Sequence, residues 1–331
     1  GVYASREGAR FGFRQLEKYI GQPSLIRETS RGAFWNPKPA AAASTVASKE
    51  GASGILGDVV LAESLQERVQ RLAMSTANTK RHAAPFRNIL FYGPPGTGKT
   101  MAAKRLARYS GLDYALMTGG DVAPLGATAV TKIHEMFDWA STSRKGLLLF
   151  IDEADAFLAK RGSDVAGTET RAALNALLYR TGEMNRDVVM VLATNRPEDL
   201  DKAVLDRMDE ALEIGLPDLA ARKRMVKLYF DKLIVRGADA GDDAPAKSFF
   251  GGLFRRSKPE RPIPVKDITD ADLDKVATAT EGLSGREISK LMAAVQAAAH
   301  GSVDGACTKA MLEEVTQTKL VEHERKAQWA K

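Results

Sequence analysis

The chain has 331 residues, of which 44% are hydrophobic and 27% charged, and 48 basic against 42 acidic side chains give a formal net charge of +6. This composition is typical of a folded globular protein and excludes collagen-like, wholly disordered and membrane-embedded chains. The single cysteine, Cys307, cannot form an internal disulfide, and the four histidines are too far apart to indicate a metal-ligand set.

The excess positive charge is concentrated in two segments. Residues 1–40 and residues 247–261 each carry a net charge of +4. Such segments are usually just solvated, but they are also compatible with an anionic membrane or with nucleic acid as a partner. The chain starts at Gly1 and has no targeting peptide, so we expect a fragment whose address signal lies upstream.

Composition shifts divide the chain into four parts. Residues 1–31 are a basic segment, expected to lie near a membrane, and residues 32–54 are rich in Pro, Ala, Ser and Gly and predict a linker. We expect an α/β domain over residues 55–217 and a small helical domain over residues 218–331. A Gly-, Pro- and charge-rich insertion, residues 237–264, interrupts the helical part.

Short apolar runs bounded by turn residues predict five buried strands, at Asn88–Tyr92, Asp113–Met117, Leu147–Ile151, Val188–Ala193 and Ala211–Ile214. Helical patterns alternate with them at Thr100–Ser110, Thr128–Ser143, Thr168–Thr181 and Asp201–Met208. This alternation predicts an α/β fold with a parallel five-stranded sheet and flanking helices. After Pro217 only helices are predicted, at Leu219–Val235, Asp270–Thr280, Gly285–Ala299 and Thr308–Ala327.

The sequence GPPGTGKT follows the first predicted strand and opens the first predicted helix. It fits the pattern G-x-x-x-x-G-K-[ST], in which backbone N–H groups surround phosphate oxygens, the lysine reaches the β- and γ-phosphates and the hydroxyl can hold Mg²⁺. We therefore expect a site for ATP and Mg²⁺ that is formed by Gly93, Pro94, Pro95, Gly96, Thr97, Gly98, Lys99, Thr100 and Met101.

Two acidic residues and one amide follow the next strands of the predicted sheet. Asp152 and Glu153 end the run LLLFIDE, 53 residues after Lys99, at the edge where open α/β sheets bind ligands. Asp152 is suited to organise Mg²⁺ through water, and Glu153 to polarise an attacking water. Asn195, after the next strand, can hold that water or the γ-phosphate. By themselves, an Asp-Glu pair can also be a helix N-cap and Thr-Asn-Arg-Pro an ordinary turn.

The order of GPPGTGKT, LLLFIDEADAF and VLATNRPEDLD, followed by a helical lid, resembles the AAA family of ATPases over about residues 55–301. Segments at 23–31 (PSLIRETSR), 117–126 (MTGGDVAPLG), 137–158 (FDWASTSRKGLLLFIDEADAFL) and 282–288 (GLSGREI) are similar to one mitochondrial group of that family, ATPase family AAA domain-containing protein 3. The resemblance implies a P-loop AAA fold and an ATP-hydrolysing homo-oligomer, a ring of six subunits with nucleotide at each subunit boundary.

The same resemblance assigns further site residues. The arginine that the family contributes to the neighbouring subunit maps onto Arg207, which would otherwise be taken as a solvated residue at a helix end. The lid arginine maps onto Arg286, and the adenine pocket onto Gly57 and Val59, where a plain core segment is an equal alternative. Family members that thread peptides carry an aromatic residue followed by an apolar residue and Gly where Pro124-Leu125-Gly126 stands here, so the usual grip is not expected, although Leu125 could act as a smaller paddle.

The resemblance implies a remodelling or organising ATPase at the mitochondrial inner membrane, with its ATPase domain in the matrix and a protein substrate that the sequence does not identify. The alternative is a nucleotide-gated oligomeric scaffold with slow turnover and no threading. A third hypothesis is contact with the nucleoid or the membrane through SFFGGLFRRSK, where Phe249, Phe250 and Phe254 accompany basic residues. The resemblance also implies an upstream coiled coil and membrane anchor.

Overall fold

The computed structural model describes residues 23–31, 60–159, 168–182, 185–236 and 262–329. These residues form two compact units. The first contains residues 23–31 and 64–215, and the second contains residues 60–63 and 216–329. Several predictions fall on residues outside these ranges: the first 22 residues, the linker, the adenine-pocket residues Gly57 and Val59, and nearly all of the 237–264 insertion with its three phenylalanines.

The first unit is built on one sheet. Its strands are β1 (Glu28–Thr29), β2 (Ile89–Tyr92), β3 (Asp113–Thr118), β4 (Leu147–Asp152), β5 (Val188–Thr194) and β6 (Glu210–Glu213). They lie in the order β1-β3-β4-β5-β2-β6, and every neighbouring pair is parallel except β1 and β3. The central strands β4 and β5 are buried on both faces, which is why they read as continuous apolar runs. The predicted parallel five-stranded sheet is confirmed, with a sixth, antiparallel strand at its edge.

Five helices belong to this part of the chain: α1 (Glu63–Arg81), α2 (Lys99–Ser110), α3 (Ala129–Ser141), α4 (Thr168–Arg180) and α5 (Lys202–Leu205). On α3 the buried residues Ile133, Met136, Phe137 and Ala140 recur at helical spacing. They join Leu174 and Leu177 of α4 and the inward side chains of the sheet in one apolar cluster. This cluster therefore lies between the sheet and these two helices.

Two helices of this unit differ from the sequence prediction. Helix α1 was not predicted, because its buried positions include Gln70, Ala73 and Thr76, which give little apolar periodicity. Helix α5 is only four residues long, although eight were predicted. Asp201 caps its start, but Arg207 and Met208 already donate to the carbonyls three residues before them, so the helix tightens into turns.

Residues 23–31 are a correction to the predicted organisation. They were expected to be part of a separate basic segment, yet Glu28 and Thr29 form the edge strand of the sheet. Leu25 and Ile26 are buried in the core cluster of the first unit. The strand was missed because two paired residues are too few to produce an alternating pattern.

The second unit contains α6 (Leu219–Phe230), which continues as a π-helical turn over Asp231–Val235, α7 (Asp270–Ala279), α8 (Gly285–Gly301) and α9 (Lys309–Trp329). Its core is a separate apolar cluster that includes Val226, Ile288 and Leu291. The expectation that strands stop at Pro217 is wrong, since β7 (Val265–Lys266) and β8 (Cys307–Thr308) form a short parallel pair. No helix within the described ranges is both long and apolar enough to span a membrane.

Local signals in the sequence set the ends of two of these helices. Thr269 and Asp272 form a capping box at the start of α7, and Ser284 and Glu287 form another at the start of α8. Hydrogen bonds from Lys309 and Thr269 hold the pKa of Asp272 well below its usual range. Asp272 thereby connects the start of α7 to the first turn of α9.

Candidate active site

Three strands of the first unit end at one edge of the sheet. Strand β2 leads into residues 93–100, which we call the phosphate loop, while β4 ends at Asp152 and β5 at Thr194. These strands pair in parallel with aligned register, for example Tyr92 with Thr194. The residues that follow them are consequently brought together where ligands bind in open α/β sheets.

The phosphate loop has a backbone conformation that requires glycine at several positions. Gly93, Gly96 and Gly98 have positive φ angles of 133°, 77° and 101°. A Cβ atom on Gly93 would lie 2.4 Å from the carbonyl oxygen of Ile214, so the loop also needs glycine for close packing. No side chain caps the start of α2, and its first N–H groups face the loop as a potential anion site.

Lys99 lies inside this loop. Its exposed fraction is 7%, and its Nζ donates hydrogen bonds of 2.8 Å to the carbonyl oxygens of Gly93 and Pro94 and to Oδ1 of Asn195. Thr97 is also buried and donates to the Pro94 carbonyl, whereas Pro94 and Pro95 are exposed. The structure therefore brings Asn195 to the phosphate loop through Lys99.

Asp152 is held from two sides. Its Oδ2 accepts from the Thr100 hydroxyl at 2.7 Å, and its Oδ1 accepts from the backbone N–H of Glu153 at 3.0 Å. One hydroxyl and one carboxylate are hard oxygen donors that suit Mg²⁺. Within the described ranges no group of three or more acidic, His or Cys side chains could hold a metal. The residues fit a cation that completes its shell with phosphate oxygens and water, as Mg²⁺ does at nucleotide sites.

Glu153 is exposed and has an unusual backbone. Its φ and ψ angles are 49° and 46°, in the left-handed region that costs a non-glycine residue about 1 kcal/mol or more. The surroundings must hold this conformation. The turn Gly119–Asp121 after β3 is packed against it, because a Cβ atom on Gly119 would lie 2.3 Å from the Glu153 carbonyl oxygen. This turn was not predicted as part of the site. The Gly-Gly pair directly after a strand is the feature of the sequence that could have indicated it.

Arg207 lies at the opposite end of the strands, near the start of β2. Its carbonyl accepts from Asn88, the residue before β2, whereas the phosphate loop follows the end of β2. Its guanidinium is turned back to the Ala203 carbonyl at 2.7 Å, and its Nε is buried with no hydrogen-bond partner. The structure thus does not bring Arg207 to the phosphate loop of its own chain.

Two further predicted residues are exposed in the first turn of a helix. Arg286 is in the second unit, exposed in the first turn of α8. Met101, in the first turn of α2, is 42% exposed. Leu125, the candidate for a smaller paddle, has a partly buried side chain that packs against the core cluster.

The Lys99–Asn195 hydrogen bond leads to a prediction for ATP affinity. In Asn195→Asp a carboxylate would face Nζ and compete with the phosphates for the same cation. A charge-assisted hydrogen bond contributes about 1.5–3 kcal/mol, so we expect the Kd for ATP to rise roughly 10- to 100-fold. Titration calorimetry with ATP and Mg²⁺ measures this. Asn195→Ala is the control and should have the smaller effect; equal affinities in the two variants would contradict the argument.

Comparison with known proteins agrees with this geometry. Residues 89–216 match the family model "ATPase family associated with various cellular activities (AAA)", and residues 66–110, which contain the phosphate loop, match "Magnesium chelatase, subunit ChlI". The chain is 44% identical over 333 residues to ATPase family AAA domain-containing protein 3-B of Xenopus laevis, covering 100% of this chain and 53% of that protein.

Two more relatives give the same result. Identity is 45% over 333 residues with ATPase family AAA domain-containing protein 3 of Caenorhabditis elegans, over 99% of this chain and 53% of the relative. Identity is 43% over 333 residues with ATPase family AAA domain-containing protein 3A of Homo sapiens, over 100% of this chain and 54% of the relative. The chain spans about half the length of these relatives. The chain therefore contains an AAA domain, over residues 89–216, and is similar along its whole length to the ATPase family AAA domain-containing protein 3 group.

Proposed function

We propose that this chain hydrolyses ATP at the sheet edge described above and works as a ring of identical subunits. The observation that carries the proposal is the convergence of Lys99, Asn195 and the Asp152–Glu153 pair at the ends of three parallel strands. A protein that only binds ATP can use Lys99 and the groups that suit Mg²⁺, but it does not need a second carboxylate in the position of Glu153.

In the proposed reaction each side chain has one task. Lys99 exchanges its present partners, the two loop carbonyls and Oδ1 of Asn195, for the β- and γ-phosphate oxygens, which releases the amide of Asn195 to hold the attacking water. Glu153 accepts a proton from that water while the water oxygen attacks the γ-phosphorus and the bond between the γ-phosphorus and ADP breaks. Thr100 and Asp152 would hold Mg²⁺, which neutralises charge on the phosphates when it is bound.

Arg207 supports the ring. It lies by the start of β2, and the phosphate loop follows the end of this four-residue strand, which is about 13 Å long. An arginine at the far edge cannot serve the phosphates of its own chain, but it can meet those of a neighbour. Its Nε is buried without a hydrogen-bond partner, which is energetically unfavourable. This cost favours movement of the guanidinium away from the Ala203 carbonyl. Arg286 in α8 is proposed to contact phosphate within its own subunit.

The test is ATP hydrolysis measured against protein concentration, with mass determined with and without ATP. We expect the specific activity of the wild type to rise as six copies assemble. Arg207→Ala should bind ATP and assemble, yet lose turnover by about 10³-fold, the smaller effect known for arginines supplied to a neighbouring phosphate site. Lys202→Ala, an exposed cation in helix α5, is the control. Wild-type turnover in Arg207→Ala, or activity independent of concentration, would contradict the ring.

The cellular role is proposed from the resemblance to the mitochondrial group alone. We propose that the ATPase faces the matrix at the inner membrane and remodels or organises a membrane-bound complex there, with nucleoid contacts as a further expectation. The packed side chain of Leu125 favours the alternative, a nucleotide-gated scaffold that does not thread peptide. Assembly that follows ATP binding but not turnover would support the scaffold; hydrolysis stimulated by an unfolded peptide would support the motor.

A further inference from the structure

Residues 23–31 are fastened to the ATPase unit by more than strand pairing. We call them the N-terminal strap. Arg27 and Ser30 donate backbone hydrogen bonds to the carbonyls of Leu116 and Tyr114, and Glu28 forms an ion pair of 2.9 Å with Lys104 of α2. At its end, Arg31 lies over the ring of Trp139 in α3, 4.3 Å from the ring centre. The strap therefore has a fixed register on the edge of the sheet.

This register places Arg27 opposite the turn after β3. Its Nε and a terminal nitrogen donate to the two carboxylate oxygens of Asp121, both at 2.6 Å. Such a bidentate pair fixes both position and orientation of the two groups. Asp121 is the last residue of the turn Gly119–Asp121, so the strap determines where this turn lies.

The same turn packs against the proposed base. Gly119 lies so close to the Glu153 carbonyl that a Cβ atom would be 2.3 Å from its oxygen, and a Cβ atom on Gly120 would be 4.0 Å from Oε2 of Glu153. The pKa of Arg27 is raised chiefly by its hydrogen bond to Asp121, with a smaller contribution from the charge of Glu153. Arg27 therefore interacts electrostatically with both Asp121 and Glu153.

We propose that Arg27 is a positioning residue for ATP hydrolysis: through its ion pair with Asp121 it holds the Gly119–Asp121 turn against Glu153 and so fixes the carboxylate that polarises water. The inference rests on the proposed function. Glu153 has an exposed side chain and a left-handed backbone, so contacts from outside its own strand must maintain its geometry. A misplaced base reduces the chemical step and leaves ATP binding, which depends on Lys99, intact.

The Arg27–Asp121 pair is well suited to mutagenesis, because an effect on the chemical step can be separated from an effect on folding stability. Exposed fractions of 57% for Arg27 and 33% for Asp121 make this a surface ion pair, which contributes little to folding. The Glu28–Lys104 pair on the same strap serves as the control. Its lysine is more buried, with an exposed fraction of 16%, and lies in helix α2.

The experiment compares Arg27→Ala, Arg27→Lys, Asp121→Asn, Arg27→Ala with Asp121→Asn, and Glu28→Gln in the full chain. Readouts are kcat, KM and Kd for ATP with Mg²⁺, and the melting temperature. We expect Arg27→Ala to lower kcat about tenfold with Kd unchanged, and Arg27→Lys to recover part of this loss. The double variant should be no slower than the slower single variant, because both substitutions remove the same link. Glu28→Gln should keep the wild-type kcat.

Three results would overturn the inference. Wild-type kcat in Arg27→Ala, while Glu153→Gln is inactive, would leave the proposed function standing and remove Arg27 from it. Equal losses of kcat in Arg27→Ala and Glu28→Gln, in step with melting temperature, would assign the strap a stabilising role only. A wild type that binds ATP but does not hydrolyse it would contradict the proposed function, and therefore also the positioning role of Arg27.

Discussion

Glu153→Gln is expected to bind ATP as tightly as the wild type and to hydrolyse it 10²- to 10⁴-fold more slowly, the range that a general base contributes. Glutamine has the shape of glutamate but cannot accept the proton of the attacking water. The side chain is exposed, whereas Lys99 is buried and donates hydrogen bonds to two loop carbonyls and to Asn195. The substitution should therefore change the chemical step and leave the phosphate loop as it is.

The measurement pairs single-turnover hydrolysis with an ATP titration, so that binding and chemistry are followed separately. Glu198→Gln is the matched control, because it makes the same chemical change at an exposed residue in the turn after the next strand. We expect wild-type turnover in this control. Unchanged hydrolysis in Glu153→Gln would show that another group takes the proton, and a parallel loss of ATP affinity would assign Glu153 to binding.

The central sheet was predictable because its strands have a local signature. Strands β4 and β5 are buried on both faces, and a continuous apolar run ended by polar residues marks such a strand without reference to the rest of the chain. The phosphate loop was predictable for the same reason, since its glycines, lysine and threonine are consecutive. Their positions in the structure follow from backbone geometry that the segment itself determines.

The features that the sequence did not reveal depend on distant partners. Strand β1 exists because Thr29 and Glu28 pair with β3, more than 80 residues away, and two residues carry no periodicity of their own. The Arg27–Asp121 pair spans 94 positions. Leu125 lies in an exposed-looking Pro-Leu-Gly segment, yet it packs against the core cluster. No local pattern distinguishes a leucine that packs from one that projects.

Lys99→Met is expected to remove ATP binding, with an increase in Kd of at least about 100-fold. The ammonium is the one side-chain cation that the structure places inside the phosphate loop, within the described residues, and charge-assisted contacts to two phosphates contribute about 1.5–3 kcal/mol each. Methionine keeps the apolar stem in a site where the lysine is 7% exposed, so the packing should survive. Lys104→Met is the matched control, five positions further along α2, where the lysine pairs with Glu28.

A thermal shift separates binding from folding in this variant. A ligand that binds only the folded state raises its stability by RT ln(1 + [ATP]/Kd), so saturating ATP should raise the melting temperature of the wild type and of Lys104→Met. Lys99→Met should show no such increase, while its melting temperature without nucleotide stays near that of the wild type, since water can replace Nζ at the surface carbonyls of the loop. An ATP-induced increase of wild-type size in Lys99→Met would place the phosphates elsewhere, and with them the whole assignment of the sheet edge as the nucleotide site.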